Sequence, residues 1–177
     1  MGMRTIPQIL TNHAQDFIRT VQKLEELGYD EVNLNLGCPS KTVVSKGRGS
    51  GFLAKPEELD RFLDEIYANV KVKISIKTRL GKYQPDEFEW LLSIYNQYPV
   101  EELIIHPRVQ QDYYKNTPNY EVFGEALKNS RNPVCYNGDL FRTEDVRRLE
   151  QRFPEVSTIM LGRGIIYNPG LVSEMED

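Results

Sequence analysis

Cysteine and histidine are scarce in this chain: Cys38, Cys135, His13 and His106 are the full supply in 177 residues. Two thiols so far apart, with neither CxxC nor zinc-type spacing, argue against a disulfide framework and a structural zinc site. Two histidines leave little for a transition metal, so no metal site is expected. Long apolar runs are missing as well. None approaches the roughly 20 residues that span a bilayer, and the start MGMRTIPQIL lacks the apolar centre of a signal peptide. A cytoplasmic protein with no membrane partner is the expectation. Positive charge is also in deficit, 22 Lys and Arg against 26 Asp and Glu, for a net charge of -4. A nucleic-acid binder is expected to carry a basic footprint, so this balance counts against the chain holding RNA by itself. Low-complexity linkers and sustained short repeats are absent too, and residues 1–177 read as a single domain.

What is present is an ordinary globular composition, with 40% hydrophobic and 27% charged residues. A chain of this length buries roughly two-thirds of its unfolded surface. Short apolar, β-branched runs alternate with amphipathic stretches, which is the pattern of βα units on a parallel sheet. The runs cover residues 5–10, 31–37, 71–80, 102–108, 132–139 and 158–164. Between them, Phe17, Ile18, Val21, Leu24 and Leu27 recur at helical spacing ahead of Gly28, a helix-ending residue. A second helix starts near Pro56, a third covers about Asp86 to Tyr98, and a fourth starts at Thr143 or Glu144.

Doubly wound sheets and (β/α)8 barrels both begin this way. The placement of unusual residues separates them. Asn35 to Cys38, Lys77 with Arg79, His106 with Arg108, Asn137 to Asp139 and Gly162 to Gly164 all fall at the C-terminal ends of strands. A barrel gathers such ends around one mouth, where barrel active sites lie. The expected fold is therefore a TIM-type (β/α)8 barrel, incomplete, with about six βα units.

The most specific segment is Asn35-Leu-Gly-Cys-Pro-Ser-Lys, running on to Lys46-Gly-Arg-Gly-Ser-Gly-Phe-Leu. A strand delivers Cys38 to the mouth and Pro39 stops it. A thiol so placed can serve as a general acid; equally, a lone cysteine can be a small buried hydrophobe. This segment resembles the signature of the tRNA-dihydrouridine synthases. The likeness continues in order through KISIKTRLG, IIHPR, YNGDL and IMLGRG, over about residues 5–170.

The resemblance implies an FMN-dependent oxidoreductase that reduces the C5=C6 bond of uridine in tRNA, with NADPH as reductant. Cys38 would donate the proton to C5 while reduced flavin delivers hydride to C6, and Asn35 would hydrogen-bond the uracil edge. Gln8, Lys77 and His106 would contact the flavin or its phosphate. Asn137, Gly138, Asp139, Gly162 and Arg163 would form the phosphate cradle after the last two strands. Arg108 would meet the nucleotide, with Tyr113 and Tyr114 in the same loop, and Lys41, Lys46 and Arg48 would guide the RNA backbone.

Each residue also has a plainer reading: Lys77 on a polar outer stripe with Lys71, Lys73 and Ser75, His106 as a structural imidazole, the glycines as turn residues, the basic loop as solvated surface. Cys135 reads as core. Family members carry two further barrel strands before TIPQIL and a helical tRNA-holding domain after the barrel. This chain then corresponds to barrel strands three to eight, with open sheet edges prone to self-association and with weakened flavin and tRNA binding. A barrel fragment without catalysis, or another FMN-dependent barrel oxidoreductase acting on a free pyrimidine, are the alternatives.

Overall fold

Six strands, all parallel, follow one another in chain order across a single sheet in the computed structural model, which describes residues 3–176. They are β1 (Gln8–Ile9), β2 (Glu31–Leu36), β3 (Lys73–Arg79), β4 (Leu103–His106), β5 (Val134–Tyr136) and β6 (Thr158–Ile159). The connections hold α1 (Ala14–Glu26), α2 (Lys41–Val44), α3 (Pro56–Asn69), α4 (Glu87–Tyr95), α5 (Tyr120–Asn129), α6 (Thr143–Arg152), α7 (Arg163–Tyr167) and α8 (Leu171–Glu176). Parallel strands whose spatial order equals their chain order are wound as in a TIM barrel; a doubly wound sheet reverses at a switch point. The sheet is open, with β1 and β6 as its edges. Residues 1, 2 and 177 of the expected domain lie outside the described residues; the remainder shares one continuous apolar core.

The register divides the sheet into two chemically opposite faces. Leu34, Ile76, Leu103 and Val134 are cross-strand neighbours in one row, and Leu36, Thr78, Ile105 and Tyr136 in the next. This face packs under the helices: the Thr78 hydroxyl lies 3.0 Å from that of Tyr95 in α4, and the Tyr136 ring meets Phe123 of α5 edge-on at 4.9 Å. Burying each such side chain is worth about 1.5–3 kcal/mol, and the row as a whole fixes the register. The other face carries the row Asn35, Lys77, Ile104 and Cys135, with Asn33 beside Ser75 below it and Arg79 beside His106 above it.

That arrangement settles the lysine alternation. Ser75 is 2% exposed and hydrogen-bonded to Asn33, so the face it shares with Lys77 is the inner one and not a solvated outer stripe. Lys71, before β3, and Lys73, at its far end, are exposed, and Lys73 pairs with Glu101.

Helix α1 buries Phe17, Ile18 and Val21 as its spacing predicts, but Leu27 is its C-cap and is 74% exposed. All six strands are shorter than their apolar runs, most of all β1, β5 and β6, which keep only two or three ladder residues each. The third helix ends at Tyr95 with Asn96 as its cap. Helix α5 has no counterpart in the sequence reading, although its signal was present: the Asn119 side chain accepts the Val122 N–H at 3.0 Å, ahead of Phe123 and Ala126 at helical spacing.

Candidate active site

The turn after β2 presents Cys38. The Asn35 side-chain oxygen accepts the backbone N–H groups of Gly37 at 3.0 Å and Cys38 at 2.9 Å, closing an Asx turn. From the far side, Ser50 donates both its N–H and its hydroxyl to the Cys38 carbonyl, at 3.1 and 2.8 Å. Gly49 sits at φ +54, and a Cβ there would lie 2.8 Å from the Cys38 oxygen, so the two loop limbs touch only because position 49 has no side chain. Arg79, 1% exposed, donates to the carbonyls of Gly37, Val109 and Tyr113, and so bolts the cysteine loop to the loop after β4. Cys38 itself is half-buried, reachable from solvent, whereas burial pushes the Cys135 thiol up to about 12 and leaves it inert.

Beside this turn, the ends of β3 to β6 enclose a cavity of about 270 Å³ whose lining includes Lys77, His106, Asn137, Asp139, Gly162 and Arg163, with Gly138, Tyr114 and apolar side chains such as Met160 among the rest. Seven of the eight residues expected to hold a cofactor are therefore brought together; Gln8 lies apart, exposed on β1. Larger hollows of about 670 and 810 Å³ lie between the outer helices and collect none of the expected residues.

Charge concentrates at the smaller cavity. Lys77, Arg79, Arg108 and Arg163 cluster about it, and Asp139 is the carboxylate that answers them. The Lys77 ammonium has no hydrogen-bond partner among the described residues; burial, reinforced by Arg79, pushes its pKa down to about 8. The same burial and the cations around it push His106 down to about 2, so the imidazole is neutral. An arginine N–H can only donate, so the 3.0 Å contact from Arg108 Nη1 assigns His106 Nε2 as acceptor and leaves the proton on Nδ1. Partial burial opposes the charge on Asp139, but Arg108 and Arg163 outweigh it and hold the carboxyl below its usual range.

The remaining candidates fall differently. Arg108 was expected to meet the nucleotide, but its donors are all engaged inside the protein: Nε with the Lys115 and Asn116 carbonyls, Nη1 with His106 and Asp139, Nη2 with Asn116 and Asp139. It braces the loop instead. That loop holds two residues at positive φ, Tyr113 and Asn116, and carries Tyr114 out over the cavity. The Arg163 guanidinium lies 4.3 Å from the Tyr114 ring centroid, and Arg79 lies 5.5 Å from it. Lys41 and Lys46 are exposed, and Arg48 is tied to the Asn12 side chain at 3.2 Å. The sequence marks Arg79 beside Lys77 at a strand end and Ser50 within the quoted motif, but assigns neither a role. Their one signal is position: Arg79 shares a face with Lys77, and Ser50 sits inside the glycine run.

A six-stranded parallel sheet with helices on its outer face and a cationic cavity at its strand ends defines a TIM-barrel-type α/β domain. The solved structure of a probable mandelate racemase from Alicyclobacillus acidocaldarius has the same fold, at a TM-score of 0.57 and 14% identity, covering 98% of this chain and 38% of that one. The dihydrouridine synthase (Dus) family model matches residues 3–177, and the chain belongs to that family. A probable tRNA-dihydrouridine synthase of Staphylococcus aureus (strain Mu50) is 30% identical over 171 residues, 93% of this chain and 51% of the relative. One from Staphylococcus epidermidis (strain RP62A) is 33% identical over 153 residues, covering 82% and 46%. The probable tRNA-dihydrouridine synthase 2 of Bacillus subtilis (strain 168) is 30% identical over 171 residues, covering 93% and 51%. The chain thus spans about half the length of these relatives.

Proposed function

We propose that this chain is the catalytic portion of a tRNA-dihydrouridine synthase, reducing the C5=C6 bond of a uridine in tRNA with FMN as its cofactor and NADPH as reductant. The observation that carries this reading is the cationic cavity beside a solvent-reachable thiol, in a chain whose net charge is -4. The residues present suit a flavin mononucleotide. A Cβ at Gly162 would meet nothing within 4 Å, so there is open space for a phosphate where Arg163 can reach it. Lys77 offers an unpartnered cation to the ring or to any negative charge that develops on it, and His106 offers a neutral N–H donor.

FMN held by Lys77, His106 and the loop at Gly162 and Arg163 would supply hydride chemistry at C6 of the uracil, with NADPH as the source of the electrons. Cys38 donates a proton to C5, so the ring gains one hydride and one proton across the double bond. The turn made by Asn35 and Ser50 holds that thiol at the strand end, and Arg79 keeps the turn against the rim of the cavity. A base inside a folded tRNA must leave its stack to arrive there. Lys41, Lys46 and Arg48, on the segment that follows Cys38, suit the backbone phosphates on either side of it. Such chemistry belongs in the cytoplasm, and no helix among the described residues is long and apolar enough to cross a membrane.

Incubating the purified chain with unmodified tRNA, FMN and NADPH and weighing the nucleosides by mass spectrometry tests the proposal. Dihydrouridine is expected in the tRNA and not in free uracil; the reverse preference would favour a pyrimidine reductase. The open edges β1 and β6 also suit pairing with a second copy, and a strictly monomeric mass by light scattering would refute that part.

A further inference from the structure

Four side chains on the inner face of the sheet form one directed chain of hydrogen bonds. Asn35 Nδ2 donates to Gln8 Oε1 at 2.8 Å, Gln8 Nε2 donates to Asn33 Oδ1 at 2.8 Å, and Asn33 Nδ2 donates to Ser75 Oγ at 3.0 Å. An amide side chain can be turned over without changing its shape, so the direction of such a chain has to be imposed from one end. Here it is imposed at the Cys38 end. The backbone N–H groups of Gly37 and Cys38 can only donate, so the group facing them must be the oxygen of Asn35. Its NH₂ is thereby turned to Gln8, whose oxygen must face back, and each later amide follows.

Registry keeps the chain short and stiff. Gln8 pairs with Asn33 across β1 and β2, and Asn33 with Ser75 across β2 and β3, so two of the three links join register partners, and the third runs diagonally from Gln8 to Asn35, two residues along β2. Ser75 and Asn33 are 2% and 5% exposed, which anchors the far end in the protein interior. Both polar ends of the Gln8 amide, and the oxygen of Asn35, are thus engaged within the protein.

We propose that Asn35 and Gln8 are positioning residues that act through the Cys38 backbone: the amide chain rooted at Ser75 fixes the turn that presents the thiol. This deepens the function proposed above, since it takes Cys38 as the group to be presented, but its test needs neither flavin nor turnover. Asn35→Asp keeps an oxygen for the two N–H groups, whereas Asn35→Ala removes it; Gln8→Ala removes the support one link further back.

The readouts are amide hydrogen exchange at Gly37 and Cys38 and the rate of Cys38 alkylation by iodoacetamide, with folding checked by circular dichroism. Asn35→Ala is expected to speed exchange at both amides about tenfold, the loss of roughly one hydrogen bond of 1.4 kcal/mol, and to change the alkylation rate. Asn35→Asp, which keeps the oxygen but loses the NH₂ that meets Gln8, should exchange more slowly than the Ala variant though faster than the parent, and Gln8→Ala should speed exchange about threefold by loosening Asn35. If Asn35→Ala does not fold, the Gln8→Ala result and the Asp rescue carry the test. Parent-like exchange and alkylation in Gln8→Ala and Asn35→Ala, or an Asp variant as fast as Ala, would overturn the proposal. Parent-like turnover in Cys38→Ala would instead remove the thiol from the chemistry and leave the turn standing.

Discussion

Arg108 and Asp139 meet through two parallel contacts, Nη1 to Oδ1 at 3.0 Å and Nη2 to Oδ2, across the tops of β4 and β5. The arginine side chain is 1% exposed and the carboxylate 29%, so the pair is buried on one side only. Arg163 joins the same carboxylate at 2.7 Å, and this makes Asp139 the hinge between the loop after β4 and the entry to α7. Asp139→Asn leaves a buried guanidinium without its counter-charge. The expected loss is about 2–3 kcal/mol, below the full cost of a wholly buried pair because Asp139 is part-exposed. Urea unfolding of the two proteins measures it, and a loss under about 0.5 kcal/mol would mean that water replaces the carboxylate.

The same cluster makes the fold sensitive to acid. His106 has its pKa pushed from 6.5 to about 2, by burial first and by the surrounding cations next. Above pH 6.5 the imidazole is neutral in both states and its contribution is constant. Below that, the unfolded chain takes up a proton that the folded chain refuses, so stability falls as the pH falls toward about 2. The depressed carboxyl of Asp139 acts in the same direction, since its stabilisation is present above its unfolded pKa and is lost as pH falls through the folded one. The His106 ring should show no NMR titration between pH 8 and about 4. A midpoint near 6.5 would place the ring in water.

Lys77 carries the opposite signature. Its pKa is lowered to about 8, so between there and 10.5 the unfolded chain keeps a proton that the fold has shed, and the ligand-free protein gains stability as pH rises. Ligand binding moves the other way, because the unpartnered cation is lost over that range. FMN affinity should therefore fall above pH 8 in the parent, with the midpoint shifted upward by the bound anion, and Lys77→Met should bind more weakly and with a flatter profile. Identical pH profiles for parent and Lys77→Met, read by quenching of flavin fluorescence, would remove Lys77 from the cavity's electrostatics.

Much of this was legible in the sequence, for reasons that can be named. The parallel order of six strands follows from apolar runs alternating with amphipathic stretches, and the site location follows from polar residues stacked at successive strand ends. Lys77, His106, Asn137, Asp139 and Arg163 then converge because parallel strands in register bring their C-terminal ends to one side. What the one-dimensional pattern could not separate was inner from outer face. Lys73 and Lys77 share a periodicity, yet one is exposed beside Glu101 and the other lines the cavity. Nor does sequence show which arginines are free: Arg108 and Arg163 both follow strand ends, but only Arg163 keeps an exposed guanidinium, since the Arg108 donors are consumed by its own loop. The short strands β1 and β6 escaped for a similar reason, because Ile6, Leu10, Met160 and Leu161 beside them are apolar without joining the ladder.

The central claim is that Cys38 and the cationic cavity form one catalytic site. The most direct measurement is dihydrouridine formed in unmodified tRNA, per mole of chain, with FMN and NADPH supplied, for the parent and for Cys38→Ala, alongside FMN affinity for both. Product is expected with the parent, with a loss of about 10²-fold or more in Cys38→Ala and unchanged FMN affinity. Parent-like product from Cys38→Ala, or a parent chain that binds no FMN, would contradict the claim.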